Sequence, residues 1–325
     1  MVDSTPFLII NPNADDKRLR KQLPKIHKLA KEIFGDYAFE LTTKIGDGIP
    51  IARKAKENGY NLLVAIGGDG TLNEVVNVAA ETDLLVGMVP GGSACDSHKT
   101  HGIPRDFERA FQIIDEGYYE RFPMGLAQGD TKRYFIEMIN GAFIGETSAA
   151  LADRFEWAHT EIGYGYAAIR IALEYKPKFS KVVIDDKIVR EVNLSCFAVA
   201  LTDVISDFEM LPCNHPRKGD FAIILVKDLT KWKLVKLVLK ATNGKHIPHK
   251  NVEILRGKHI VVDSTVPHTW EIEGEIPSKK TTHMEISYIP DVINLIIPKG
   301  WKYGMRKKER AKAKKRVQKG LPPFP

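Results

Sequence analysis

Two short stretches of this 325-residue chain hold the residue types that could do chemistry. In Gly67-Gly68-Asp69-Gly70-Thr71, three glycines, an acid and a hydroxyl directly follow the apolar run Leu62–Ile66. Glycines let the backbone approach a ligand closely. A helix opening at Thr71 presents free N–H groups and a partial positive charge, which suits a phosphate. Asp69 places a carboxylate in that turn, where it could hold a magnesium ion. A second glycine turn, Pro90-Gly91-Gly92-Ser93, follows the apolar run Leu84–Val89, and Asp96 stands three residues past Ser93, as a ligand to the same metal or as a cap. The other stretch is Trp270-Glu271-Ile272-Glu273-Gly274-Glu275-Ile276-Pro277. Strand alternation puts Glu271, Glu273 and Glu275 on one face. That face is either a solvated acidic strand or the source of a general base that takes a proton from a hydroxyl.

The elements that must position these residues alternate over the first ~120 positions, the pattern of a parallel α/β sheet. Phe7–Ile10 reads as a buried strand ending at Asn11, followed by a helix over 17–34. A strand over 37–41 leads through Thr42-Thr43 into a helix over 49–58. The strand 62–66 and its helix, the strand 84–89, and a helix from Pro104 to about Gly117 complete the series. In such a sheet both glycine turns, Asn11 and Thr43 lie at the carboxyl ends of strands, where ligands bind. The spacing fits neither the Walker loop nor the dinucleotide fingerprint. Phosphate charge must therefore be met by metal, amides and cations from elsewhere. From about Phe122 the pattern becomes mostly β, with helices expected at 149–157, 165–175 and 231–241 and separate strands at 259–263 and 269–272. The expected organisation is an α/β domain over 1–122 rejoined by 289–298, a β-rich domain over 123–288, and a basic tail over 299–325.

Composition bounds the rest. Hydrophobic content of 43% and charged content of 27% are ordinary for a globular protein. No apolar run reaches the ~20 residues of a membrane span. The start lacks the pattern of a signal peptide. Three widely spaced cysteines, Cys95, Cys196 and Cys213, argue against a disulfide framework or zinc site and fit a reducing cytoplasm. The net charge of +7 is uneven: residues 299–325 carry eleven Lys/Arg and one acid, which leaves −3 on the 298 residues before them. Such a tail is either a solvated extension or an electrostatic attachment, to an anionic membrane surface in preference to nucleic acid.

With these stretches in view, the sequence resembles the diacylglycerol kinase catalytic-domain family, which includes bacterial lipid kinases and sphingosine kinases and is distantly similar to NAD kinases and phosphofructokinases. The resemblance covers about residues 5–298. It rests on the run Gly67–Asn77, on Pro90–Asp96 with Gly102-Ile103-Pro104 after it, on Ile162–Tyr166, and on Glu273-Gly274-Glu275, which looks like the family's Asp-Gly-Glu. It implies an NAD-kinase/phosphofructokinase-like α/β domain followed by a β-sandwich domain. By resemblance Asn11, Thr43, Gly67, Gly68, Asp69, Gly70, Thr71, Asn73, Glu74, Gly92 and Ser93 contact ATP. Asp69 and Asp96 organise Mg2+, and Glu275 takes the proton of a lipid hydroxyl as it attacks the γ-phosphate. A peripheral membrane enzyme of phospholipid biosynthesis is expected, with room for a homodimer. The rivals are an NAD-kinase-like enzyme and a non-catalytic nucleotide- or lipid-binding protein. The sequence departs from the family at Asn13-Ala14-Asp15, at Cys95, at Ser97-His98-Lys99 and at Lys218, where bacterial members have an Asp that holds a structural magnesium. The expectation is that the Lys218 ammonium replaces that ion.

Overall fold

The computed structural model describes residues 5–93, 95–154, 161–202, 214–241 and 250–302, without the side chains of 161–164, 240–241 and 278–279. The expectations for Cys213, for residues 155–160 and for the tail from 303 onward lie outside the described residues. The chain forms two compact units: one runs to Met124 and takes in the segment from Ile289, and the other spans Gly125–Tyr288.

The first unit is built from three strand–helix–strand crossovers. β1 (Phe7–Ile10), α1 (Arg18–Phe34), β2 (Ala38–Leu41), α2 (Gly48–Glu57), β3 (Leu62–Gly67), α3 (Asp69–Ala79) and β4 (Leu85–Pro90) follow in order. They are succeeded by α4 (Asp96–His101) and α5 (Phe107–Glu116). β1 and β3 are buried at every position because helices cover both faces of a parallel sheet. The strand order is β2-β1-β3-β4, all parallel. A fifth strand is the end of the last strand among the described residues, whose Asn294 and Leu295 pair in parallel with Leu85 and Val86.

The second unit contains the end of β5 (Tyr119–Gln128), then β6 (Lys132–Phe135), β7 (Met138–Ala142), α6 (Phe143–Asp153) and α7 (Glu161–Glu174). After these come β8 (Lys178–Ile184), β9 (Ile188–Ala200), β10 (Phe221–Lys227), α8 (Lys231–Ala241), β11 (Val252–Gly257), β12 (His259–Ile272) and the start of β13 (Glu275–Ile296). The order is β11-β10-β9, and β8 and β7 then lie end to end between β9 and β12. The two strands expected at 259–263 and 269–272 are one strand. Its pairing with β13 shifts register three times between Asp263 and Ile272, which explains why the apolar alternation breaks there.

The core of this unit gathers Phe135, Phe197, Phe221 and Trp270. It also buries His268, 1% exposed. The Ser180 hydroxyl donates to the Lys178 carbonyl, so its oxygen accepts from His268 Nε2 at 2.9 Å. Nδ1 is then an acceptor with no donor. Protonating it would bury an unpaired N–H beside Lys178, and desolvation and Lys178 hold its pKa down at about 4. The unfolded chain takes up this proton near pH 6.5 and the folded one does not, so His268 destabilises as pH falls from 6.5 towards 4. Between pH 7 and pH 5 its share is about 2 kcal/mol. Buried Glu271, with its raised pKa, acts in the opposite sense. Urea melts at the two pH values should therefore show a shallower acid loss in His268→Gln than in wild type. Parallel curves would contradict the assignment.

Candidate active site

The carboxyl ends of the four parallel strands make a continuous rim. Beyond the ladders, Thr42 N donates to Ile10 O, Asn11 N to Ile66 O, and Gly91 N and Gly92 N both to Gly67 O. The strand-end segments are thus bonded to one another in sheet order. The two glycine turns touch at Gly68 and Gly92: a Cβ on Gly92 would stand 2.7 Å from Gly68 Cα. This approach is open only to glycine.

α3 begins at Asp69, two residues before the Thr71 start expected from the sequence. The reason is that Gly68, not the hydroxyl of Thr71, caps it in extended backbone. The helix N-terminus is therefore at the Gly-Asp-Gly itself. Asn11 Nδ2 donates to Thr71 Oγ1 at 3.3 Å and ties the first rim segment to the helix start.

Asp69 reaches across to the second turn. Its Oδ2 accepts from Asp96 N at 3.0 Å and its Oδ1 from Ser97 N at 3.1 Å, so it anchors the start of α4. Carboxylate oxygens of Asp69 and Asp96 lie within 4.8 Å of one another. Lys99 Nζ stands 3.0 Å from Asp96 Oδ1. Two carboxylates at this spacing suit a hard divalent cation.

Cys95, the departure at this turn, is in the left-handed region with φ of 48°. Its sulfur accepts from Gly92 N at 3.1 Å and lies 3.3 Å from Gly92 O. Burial and the Asp69 charge push its thiol up to about 11. It is a neutral pin inside the turn, not a nucleophile. Arg105, which sequence reasoning missed, donates to Gly92 O at 3.1 Å and to Ser93 O at 2.5 Å. It brings a guanidinium to the second turn, the kind of cation that a phosphate site without a Walker lysine needs. No local pattern marks it, because it acts on backbone carbonyls twelve and thirteen residues away.

Other expected nucleotide residues bond to the protein's own loops and helix. Asn73 is fully buried, and its Oδ1 accepts from Asn77 Nδ2. Glu74 accepts from Gly46 N at 2.7 Å and Gly48 N at 2.5 Å, which fixes the loop after β2. Thr43 is exposed and donates to Asp47 at 2.5 Å, and this bond is the main cause of the lowered pKa of Asp47.

In the second unit the acidic segment is not an extended face. Ile272 pairs with Glu275, and Glu273 and Gly274 form the two-residue hairpin turn between β12 and β13, with φ of 49° and 87°. Two positive φ values are what a type I′ turn requires. The three acids are accordingly separated in role. Glu271 is buried; its Oε2 accepts from Asn140 Nδ2 at 2.5 Å and its other oxygen from Gly274 N. Desolvation raises its pKa. Glu273 Oε1 accepts from Ile136 N and Glu137 N, each at 2.6 Å. Glu275 Oε2 meets Arg133 at 2.6 Å, with both side chains still partly exposed. The reading as a solvated acidic strand is corrected: two of the three acids brace the hairpin from inside.

This assignment of roles predicts an asymmetry at Glu271. A glutamine keeps an acceptor for Gly274, and its NH2 can donate to Asn140 Oδ1, which has no partner among the described residues, once the Asn140 amide turns over, so Glu271→Gln should stay within about 1 kcal/mol of wild type. Glu271→Leu strands the Asn140 amide and the Gly274 N–H and should cost about 2–4 kcal/mol in urea unfolding. Equal losses in the two variants would refute it.

At the Lys218 loop the structure places another cation. Asp220 pairs with the Arg256 guanidinium through both carboxylate oxygens. Lys218 ends the short helix Pro216–Lys218 and gives its N–H to His215 O.

A parallel α/β rim with two mutually packed glycine turns and paired carboxylates defines a phosphate-handling fold. Residues 5–127 match the family model of the diacylglycerol kinase catalytic domain, and residues 142–297 match that of the YegS C-terminal NAD kinase beta sandwich-like domain. The chain is a divergent member of the diacylglycerol kinase catalytic-domain family. Among curated relatives, the diacylglycerol kinase of Staphylococcus saprophyticus is 28% identical over 276 residues, covering 84% of this chain and 89% of its own. That of Staphylococcus epidermidis is 28% identical over 298 residues, covering 88% and 93%. A Bacillus anthracis diacylglycerol kinase structure superposes with a TM-score of 0.66 at 18% identity, covering 91% of this chain and 97% of its own. An Archaeoglobus fulgidus NAD kinase solved in complex with ATP superposes at 0.54 and 13% identity, over 91% and 94%. These structures show the fold.

Proposed function

We propose that this protein transfers the γ-phosphoryl group of ATP to the hydroxyl of a lipid of the diacylglycerol type. The observation that carries the reading is the bonded rim of the first unit, where the α3 N-terminus, the touching glycine turns and the Asp69–Asp96 pair converge. Phosphoryl transfer needs chiefly positioning and charge stabilisation, and each part supplies one of these. The free N–H groups of the α3 N-terminus receive phosphate oxygens. Asp96 and Asp69 would hold Mg2+, which screens the phosphate charge when bound. Lys99 and Arg105 add fixed positive charge. On the second unit, Glu275 takes the acceptor proton, oriented by Arg133.

The test incubates the protein with γ-labelled ATP and Mg2+, offering diacylglycerol, other lipid alcohols and NAD in parallel. A labelled phospholipid, lost on chelation of the metal, is expected. Label in NAD would move the protein to the NAD-kinase reaction. Bound ATP with no labelled product would make it a binding protein.

No helix among the described residues is long and apolar enough to cross a membrane. Attachment to an anionic membrane surface, and a cytoplasmic location, belong to this same proposal.

A further inference from the structure

α8, outside the site just described, has two unlike sides. Leu234 and Leu237 are buried in the core of the second unit, and Val235 and Val238 pack against it. Trp232 and Leu239 are 62% and 54% exposed, an unusual cost for two large apolar side chains on one helix. At 100° per residue they stand only about 20° apart, at the centre of the outward arc. Lys236 falls between them along the helix, and Lys231 and Lys233 stand at the two edges of the arc; all three are exposed. Lys231 Nζ lies 5.9 Å from the Trp232 ring centroid.

The charge is one-sided. The helix sequence KWKLVKLVLKA contains no acid, and its first turn carries Lys231 and Lys233. Cations at a helix N-terminus oppose the helix dipole, where acids would stabilise it. Among the described residues, neither fold stability nor burial within the unit accounts for this arrangement. An apolar centre of Trp and Leu ringed by lysines matches a layer that is apolar below and anionic above. Tryptophan and leucine enter the headgroup boundary while lysine stems lay their ammonium groups among anionic headgroups.

We propose that the outer face of α8 docks on an anionic lipid bilayer, with Trp232 and Leu239 inserted and Lys231, Lys233 and Lys236 on the headgroups. The inference extends the lipid-acceptor reading, yet docking requires neither ATP nor turnover. It is also distinct from the basic tail, which has almost no apolar face.

The experiment is co-sedimentation of the full chain with phosphatidylcholine vesicles, with and without phosphatidylglycerol. The tail is thus present in every variant. Wild type should pellet with the anionic vesicles. Lys231→Gln/Lys233→Gln/Lys236→Gln should lower partitioning by about 10²-fold, from about 1 kcal/mol per basic residue at the surface. Trp232→Ser/Leu239→Ser should lower it at least tenfold on the same vesicles, and brominated lipid should quench Trp232. All five positions are exposed, so far-UV circular dichroism should be unchanged. Glu275→Gln, inactive in transfer, should pellet like wild type, which separates failure of docking from failure of the kinase reading. Undiminished pelleting of both α8 variants overturns the proposal. So does sedimentation velocity in which Trp232→Ser/Leu239→Ser turns a dimer into a monomer, which would assign the face to a second copy. Salt-sensitive retention of duplex DNA, lost in the lysine variant while vesicle binding persists, would assign it to nucleic acid.

Discussion

Glu275→Gln is expected to slow phosphoryl transfer to a lipid hydroxyl by about 10²–10⁴-fold, the range for removal of a positioned general base. ATP binding should stay near wild type. The substitution keeps the size of the side chain and an oxygen to face Arg133, now 2.6 Å away, but deletes the basic lone pair that would accept the proton. The neighbouring Glu273→Gln is the control. Its Oε1 can still accept from Ile136 N and Glu137 N, so the hairpin keeps its geometry. Single-turnover measurement with γ-labelled ATP decides between them. If Glu273→Gln is the dead variant and Glu275→Gln the active one, the base has been assigned to the wrong acid of the hairpin. Arg133→Gln should fall between the two, because the base survives but loses its orientation.

A second large effect is expected at Asp69, where one carboxylate serves two purposes. It accepts two backbone N–H groups of α4, and hydrogen bonds to a charged group contribute about 1.5–3 kcal/mol each. An amide has one acceptor oxygen, so Asp69→Asn must turn its NH2 toward either Asp96 N or Ser97 N. Stability should fall by roughly 2–3 kcal/mol in urea. Transfer should fall at least 10²-fold, since Asp96 and the second glycine turn move with α4 and a metal ligand is lost. ATP affinity should weaken as well, unlike the Glu275 variant. A wild-type urea midpoint for Asp69→Asn would show that the carboxylate does not hold α4.

Much of the first unit is legible in the residues themselves. The runs Phe7–Ile10, Leu62–Ile66 and Leu85–Val89 are strands because a parallel sheet buried on both faces demands unbroken apolar residues. The glycine turns announce a close approach to backbone or ligand. The second unit is less legible because its strands bend and slip register, as β12 does three times, and a period of two cannot be followed across a slip. Glu273-Gly274 shows the limit plainly. Read as alternation, it leaves three acids on one face; folded, it is the turn at which that alternation stops.

What the sequence alone determined here is local: which segments are apolar enough to be buried, where glycine relaxes the backbone, and which stretches carry acids and hydroxyls. What only the tertiary structure decided is partnership. Asp69 finds α4 27 residues on, Glu271 finds Asn140 across 131 residues, and Arg133 finds Glu275 across 142. The physical reason is the same in each case. A charged or polar side chain leaving water requires a hydrogen-bonding partner, and strand order, not sequence spacing, brings that partner within 3 Å.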